Sequence, residues 1–123
     1  MKWPLRSDAP IYSQLIEHIK LGIVSGEFPP GGKLPSVRDL AGEAGVNPNT
    51  MQRAFTELER EGLVNAQRTS GRYVTEDHEM IEETKKDLAR AKIKDFLEAM
   101  TRLGYGADEI AALVSEQASK EGS

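Results

Sequence analysis

Two helix starts eleven residues apart, with a stop signal between them, constrain this chain more than any other feature. Residues 34–74 read LPSVRDLAGEAGVNPNTMQRAFTELEREGLVNAQRTSGRYV. Ser36 is a natural N-cap, and Asp39 three residues on can complete a capping box. Gly45 supplies the left-handed residue that closes the short helix so begun. Asn47 then caps a second helix, and Pro48 occupies its first turn, where the missing N–H costs nothing. A short helix, a sharp turn and a second helix opening on polar residues form an object that suits the major groove of DNA.

The second helix, expected over 48–61, divides into two faces by its 3.6-residue period. Met51, Ala54, Phe55 and Leu58 fall on one side and predict the buried stripe. Asn49, Gln52, Arg53 and Thr56 fall on the other, with Asn47 and Thr50 near the leading end. Asn and Gln can pair bidentately with adenine and Arg with guanine, while a free helix N-terminus attracts phosphate. On this reading Gln52 and Arg53 recognise bases and Thr50 holds a phosphate. The alternative for the same residues is an ordinary solvated helix face. Gly62 ends the helix, Leu63 and Val64 start a strand, and residues 67–72 turn the chain with Ser70 and Gly71 between Arg68 and Arg72. This predicts a two-stranded wing whose arginines neutralise phosphates beside the groove, or a plain hairpin whose arginines keep an edge soluble.

The blocks Pro30-Gly31-Gly32-Lys33-Leu34-Pro35-Ser36-Val37-Arg38-Asp39-Leu40-Ala41, Gly45-Val46-Asn47-Pro48-Asn49-Thr50-Met51-Gln52-Arg53-Ala54 and Leu58-Glu59-Arg60-Glu61-Gly62-Leu63-Val64 together resemble the winged helix-turn-helix of GntR-type bacterial transcription regulators. The Asn-Pro-Asn-Thr segment and the short tail are most similar to the YtrA-type branch. The resemblance covers about the first 75 residues. It implies that Arg38 holds a phosphate and that the start of the second helix and the wing tip complete the contact. One departure is that Thr69 and Ser70 precede Gly71, where the family's wing often carries Gly-x-Gly; this makes close backbone approach at the tip harder.

The formal net charge of -4 by itself opposes DNA binding. The charge is unevenly spread: residues 1–75 carry nine Lys or Arg against eight Asp or Glu, and residues 76–123 carry seven against twelve. The acidity therefore lies in the tail, and a near-neutral head can bind DNA if its arginines share a surface. With 123 residues and no cysteine, the chain has room for one domain with a modest core, or a small domain with an appendage, and none of the chemistry of disulfides or thiolate metal sites. No apolar run is long enough to span a bilayer and no leader is visible, so a soluble, cytoplasmic protein is expected.

Ahead of the central stretch, Tyr12, Leu15, Ile16, Ile19 and Ile23 recur at helical spacing and predict a core helix over 10–25, ended by Gly26. Residues 33 and 34 follow as a short strand. The segment with Trp3 and Leu5 is either unstructured or lies against the wing or a partner subunit. His18 lies off the stripe and is expected to be solvated rather than a ligand. The cluster Glu76-Asp77-His78-Glu79 is read as acidic groups facing a helix dipole, not as a cation site. No metal and no cofactor are proposed.

From residue 77 a long helix is expected, with Ile81, Thr84, Leu88, Ala91, Phe96, Met100 and Leu103 forming one stripe and Ile93, Leu97 and Ala99 widening it. Gly104 stops it, and a last helix over 107–119 presents Ile110, Leu113, Val114 and Gln117. The expected architecture is thus mainly α with a small β-wing: a winged helix-turn-helix domain over 1–75 and a helical hairpin over 76–123. The hairpin has too much apolar face for its size, so Ile81, Leu88, Ile93, Phe96, Leu97, Met100, Leu103, Ile110, Leu113 and Val114 are expected to form a homodimer seam. The alternative is a monomer in which the hairpin packs on its own head.

The leading expectation for function is a sequence-specific regulator of transcription, a repressor that binds double-stranded DNA as a homodimer on a pseudo-palindromic operator. A winged-helix protein-interaction module is the alternative. An enzyme is not expected, because no nucleophile and base stand at a motif spacing and no Gly-rich phosphate loop precedes a helix. A small-molecule effector is left open; it would have to lodge in the hairpin or the dimer seam, and no cluster of convergent polar groups marks a site there.

Overall fold

The computed structural model describes residues 3–67 and 70–122. Its elements are α1 (Ile11–Val24), α2 (Val37–Ala44), α3 (Pro48–Arg60), β1 (Val64–Gln67), β2 (Gly71–Val74), α4 (His78–Arg102) and α5 (Ala107–Glu121). The chain divides into two compact units, Met1–Lys86 and Asp87–Ser123.

In the first unit the capping residues act much as their positions in the sequence suggest. Ser36 Oγ accepts the Asp39 N–H at 3.0 Å, although the return bond from Asp39 is absent among the described residues; Asp is one methylene shorter than the Glu that closes such a box. Gly45 sits at φ +70°, and Val46 N–H reaches back to Ala41 O at 3.0 Å, so the tight end of α2 needs a residue without a Cβ penalty. Asn47 Oδ1 accepts the Asn49 N–H at 2.7 Å, which starts α3 two residues after α2 has been closed.

Leu15, Ile19 and Ile23 of α1, Leu40 and Ala41 of α2, and Met51, Ala54, Phe55 and Leu58 of α3 form one core with Leu34, Leu63, Val64 and Val74. Full burial of a side chain such as Phe55 favours the folded state by about 1.5–3 kcal/mol relative to leaving it in water. The wing is antiparallel, with Val64 opposite Val74, Asn65 opposite Tyr73, Ala66 opposite Arg72 and Gln67 opposite Gly71. A short third segment lines its other edge: Leu34 N–H donates to Arg72 O and Val74 N–H to Gly32 O, both at 2.9 Å, and Lys33 pairs with Tyr73. The expected strand at residues 33 and 34 is thus an edge of the wing.

Three expectations change here. Trp3 lies on His18 of α1, with ring centroids 4.3 Å apart and planes inclined by 33°, not on the wing. His18 is accordingly half-buried rather than solvated. Ile81, assigned from its stripe to the dimer seam, packs into the core of the first unit instead, as does the neighbouring Met80. Helical period identifies an apolar face without saying which neighbour covers it.

The acidic start of α4 is a cap, Asp77 Oδ1 accepting the Met80 N–H at 3.1 Å. In the second unit, Gly104 turns the chain at φ +100°, and Gly106 N–H donates to Glu109 Oε1 at 3.0 Å to begin α5. Ile110 is buried within the chain, whereas Ile93, Phe96, Leu97, Leu103, Leu113 and Val114 are between 38% and 71% exposed. No helix of the described residues is long and apolar enough to cross a membrane.

Candidate nucleic-acid interface

Because Met51, Ala54, Phe55 and Leu58 are held in the core, the opposite face of α3 is turned to solvent, and Asn49, Gln52, Arg53 and Thr56 are exposed along it. Asn47 is exposed at the cap and Thr50 is half-buried beside it. The structure therefore gathers the candidate base-reading groups on one face. Thr56 Oγ1 donates back to the main-chain Gln52 O at 3.0 Å, and Gln52 Nε2 reaches Thr56 Oγ1 at 3.5 Å, a weak tether that leaves the Gln52 side-chain amide available to a new partner. Arg38 is exposed on α2.

The charges of α3 are segregated. Its far end carries three acids, each joined to a cation: Glu57 to Arg60 with Nε–Oε2 at 2.7 Å, Glu61 to Lys20 at 2.9 Å, and Glu59 to Arg72. The hydrogen bond from Arg60 holds the Glu57 carboxyl below the usual carboxylate range. This contribution to folding is present at neutral pH and is lost as pH falls through the lowered value. Within residues 11–74, the cations with no acidic partner among the described residues are Lys33, Arg38 and Arg53. The positive charge left for an anionic ligand is thus on α2, the leading half of α3 and the wing.

The wing differs from its sequence reading. Arg72 is turned inward, ion-paired with Glu59, and its guanidinium carbon lies 5.2 Å from the centroid of Phe55. It clasps the wing to α3 instead of projecting from the tip. Ser70 and Gly71 are exposed at the tip, and Arg68 lies outside the described residues. Lys33, absent from the sequence-derived set, runs beside Gly71: a Cβ built there would stand 3.2 Å from Lys33 Cε. The expected strand at residues 33 and 34 was its available signal. The Glu59 partner of Arg72 had none, being thirteen residues distant in sequence.

No group of three or more His, Cys, Asp or Glu among the described residues is placed to hold a metal ion.

Comparison with known proteins agrees with this geometry. Residues 11–74 match the model of the gntR family of bacterial regulatory proteins. The HTH-type transcriptional repressor YtrA of Bacillus subtilis is 47% identical over 72 residues, which span 58% of this chain and 55% of that protein. A GntR family transcriptional regulator from Listeria monocytogenes superimposes with a TM-score of 0.81 at 38% identity, covering 91% of this chain and 98% of the other. The DNA-binding domain of AraR, solved in complex with its operator ORX1, is similar at 29% identity and a TM-score of 0.53, over 61% of this chain and 92% of that one. The winged helix-turn-helix, the tail helices that follow it and the match across residues 11–74 lead to one conclusion: this chain belongs to the gntR family of bacterial regulatory proteins.

Proposed function

We propose that this chain is a sequence-specific repressor that binds double-stranded DNA as a homodimer on a pseudo-palindromic operator. The observation that carries the reading is the exposed polar face of α3, led by a capped N-terminus and bearing Arg53 with no acidic partner among the described residues. In the groove, Gln52 and Arg53 read base edges, with Asn47 and Asn49 at the entering end. Arg38 and Thr50 hold phosphates of the flanking backbone, and the wing adds Lys33, Arg68 and the backbone of Ser70 and Gly71. Arg72 fixes the wing against α3 and acts on DNA only through that orientation.

The second unit supplies the second head. Its exposed apolar residues Ile93, Phe96, Leu97, Leu103, Leu113 and Val114 form a surface that a second copy covers. Two weakly charged heads on one duplex bind far more tightly than one, because the second engages intramolecularly. Repression follows from occupancy of the promoter; the YtrA relative is named a transcriptional repressor. An open groove of about 580 Å³ between α4 and α5, lined by Phe96, Met100, Leu113 and Val114, is where an apolar effector would compete with the second copy.

The test is a binding titration against one selected duplex and a scrambled one at several salt concentrations. Two to three phosphate contacts in each of two heads give log K against log salt a slope between about -3 and -6. A shallow slope with equal affinity for both duplexes favours the alternative, a winged module that docks on protein.

A further inference from the structure

Arg53, the residue assigned above to base recognition, is held by a group that makes no contact with DNA in that assignment. Its guanidinium carbon lies over the ring of Tyr12 in α1, 4.8 Å from the centroid. Two other arginines of this region are engaged by carboxylates. Arg60 has donors engaged by Glu57 and Arg72 by Glu59, so each has spread part of its fork and its charge on a carboxylate. An aromatic face attracts a guanidinium through the ring quadrupole and leaves the in-plane N–H donors unused. Guanine recognition needs two of those donors in a fixed plane. Tyr12 therefore orients Arg53 without neutralising it, which a carboxylate partner in the same place would not do.

Tyr12 is itself fixed. It is half-buried on the first turn of α1 and packs against the core. That turn has no side-chain cap at Pro10, and Gln14 supplies the missing restraint. The Gln14 side chain is buried; it accepts the Arg6 N–H at 2.6 Å and donates to Arg6 O at 2.7 Å and Ala9 O at 2.9 Å. Eight residues further along both helices, Lys20 of α1 meets Glu61 at the end of α3 at 2.9 Å. The two contacts, Tyr12 with Arg53 and Lys20 with Glu61, set the register in which α1 lies along α3.

We propose that Tyr12 is a positioning residue for base recognition: its ring pre-orients the Arg53 guanidinium, so that α1 contributes to sequence preference without touching the duplex. This rests on the assignment of Arg53 above, and the experiment separates the two. Full-length wild-type, Tyr12→Phe, Tyr12→Leu and Arg53→Ala chains, and the Tyr12→Leu/Arg53→Ala double variant, are compared on a duplex selected from a random pool by the wild type. The partner duplex differs at the one base pair whose preference Arg53→Ala loses. Tyr12→Leu is expected to lower the matched-to-mismatched affinity ratio by about two- to five-fold per head, the scale of an exposed cation–π contact. Tyr12→Phe is expected to keep the ratio, and Tyr12→Leu to cause no further loss of matched-duplex affinity in the Arg53→Ala background. In the DNA-free chain, 15N relaxation of Arg53 Nε should report an ordered side chain in the wild type and Tyr12→Phe and a mobile one in Tyr12→Leu.

An Arg53 side chain equally ordered in Tyr12→Leu overturns the proposal while leaving the DNA reading intact. A matched-duplex affinity that Tyr12→Leu lowers equally with and without Arg53, or a ratio that Phe fails to preserve, also overturns it, since a general loss of packing would do the same. If Arg53 is ordered by Tyr12 yet Arg53→Ala changes no base preference, the assignment of Arg53 fails, and positioning for recognition fails with it.

Discussion

At the scale of single residues, three arginines in similar sequence settings do three different things, and partners decide which. Arg60 is tied to Glu57, Arg72 to Glu59, and Arg53 to the face of an aromatic ring. Sequence period placed Arg53 on the exposed face of α3 correctly, because the face is set by Met51, Ala54, Phe55 and Leu58 a few residues away. It could not turn Arg72 inward, because Glu59 and Phe55 reach it only through the packing of the wing on α3. The expected consequence is a sorting of variants. Arg53→Ala should cost about 1–3 kcal/mol in binding and relax preference at one base pair of each half-site, whereas Arg38→Ala should weaken every duplex alike. Binding measured on a panel of single-base variants of one duplex checks both; uniform loss for Arg53→Ala would move that residue to the phosphate set.

At the scale of elements, the caps were legible and the contacts between elements were not. Ser36, Gly45 and Asn47 mark their helix ends through bonds to neighbours two to five positions away, and such local chemistry is written in order along the chain. The path of Trp3 onto His18 and the third edge of the wing depend on residues brought together by the fold. The wing tip carries a prediction of its own. Gly71 sits at φ +109°, and a Cβ there would stand 3.2 Å from Lys33 Cε. Gly71→Ala should therefore destabilise the chain by about 1 kcal/mol through its strained backbone, and should also displace Lys33. Thermal unfolding would read the first effect and a reduced salt slope the second. A variant as stable as the wild type would mean that the tip relaxes freely.

At the scale of the whole molecule, the uneven charge acquires a physical reading. The far end of α3 is neutralised internally, Lys33, Arg38 and Arg53 are the cations of residues 11–74 without an acidic partner among the described residues, and the surplus acid lies in the tail. The stripe of α4 was legible as apolar, but its division was not: Ile81 completes the core of the first unit, while Ile93, Phe96, Leu97 and Leu103 are exposed. In the proposed homodimer, a charge among the latter should separate the subunits without unfolding the head. Leu97→Asp is expected to give a monomer by sedimentation with near-native helicity and a loss of duplex affinity of about 10²-fold or more, the scale of lost bivalency. A variant that stays dimeric would place the seam elsewhere. The most direct test of the account is selection of bound duplexes from a random pool by the wild type and by Arg53→Ala in parallel. The account predicts a pseudo-palindrome with half-sites about one helical turn apart, or a multiple of it, and the loss of one conserved base pair per half-site in the variant. No enriched sequence, or the same sequence enriched by both chains, would contradict it.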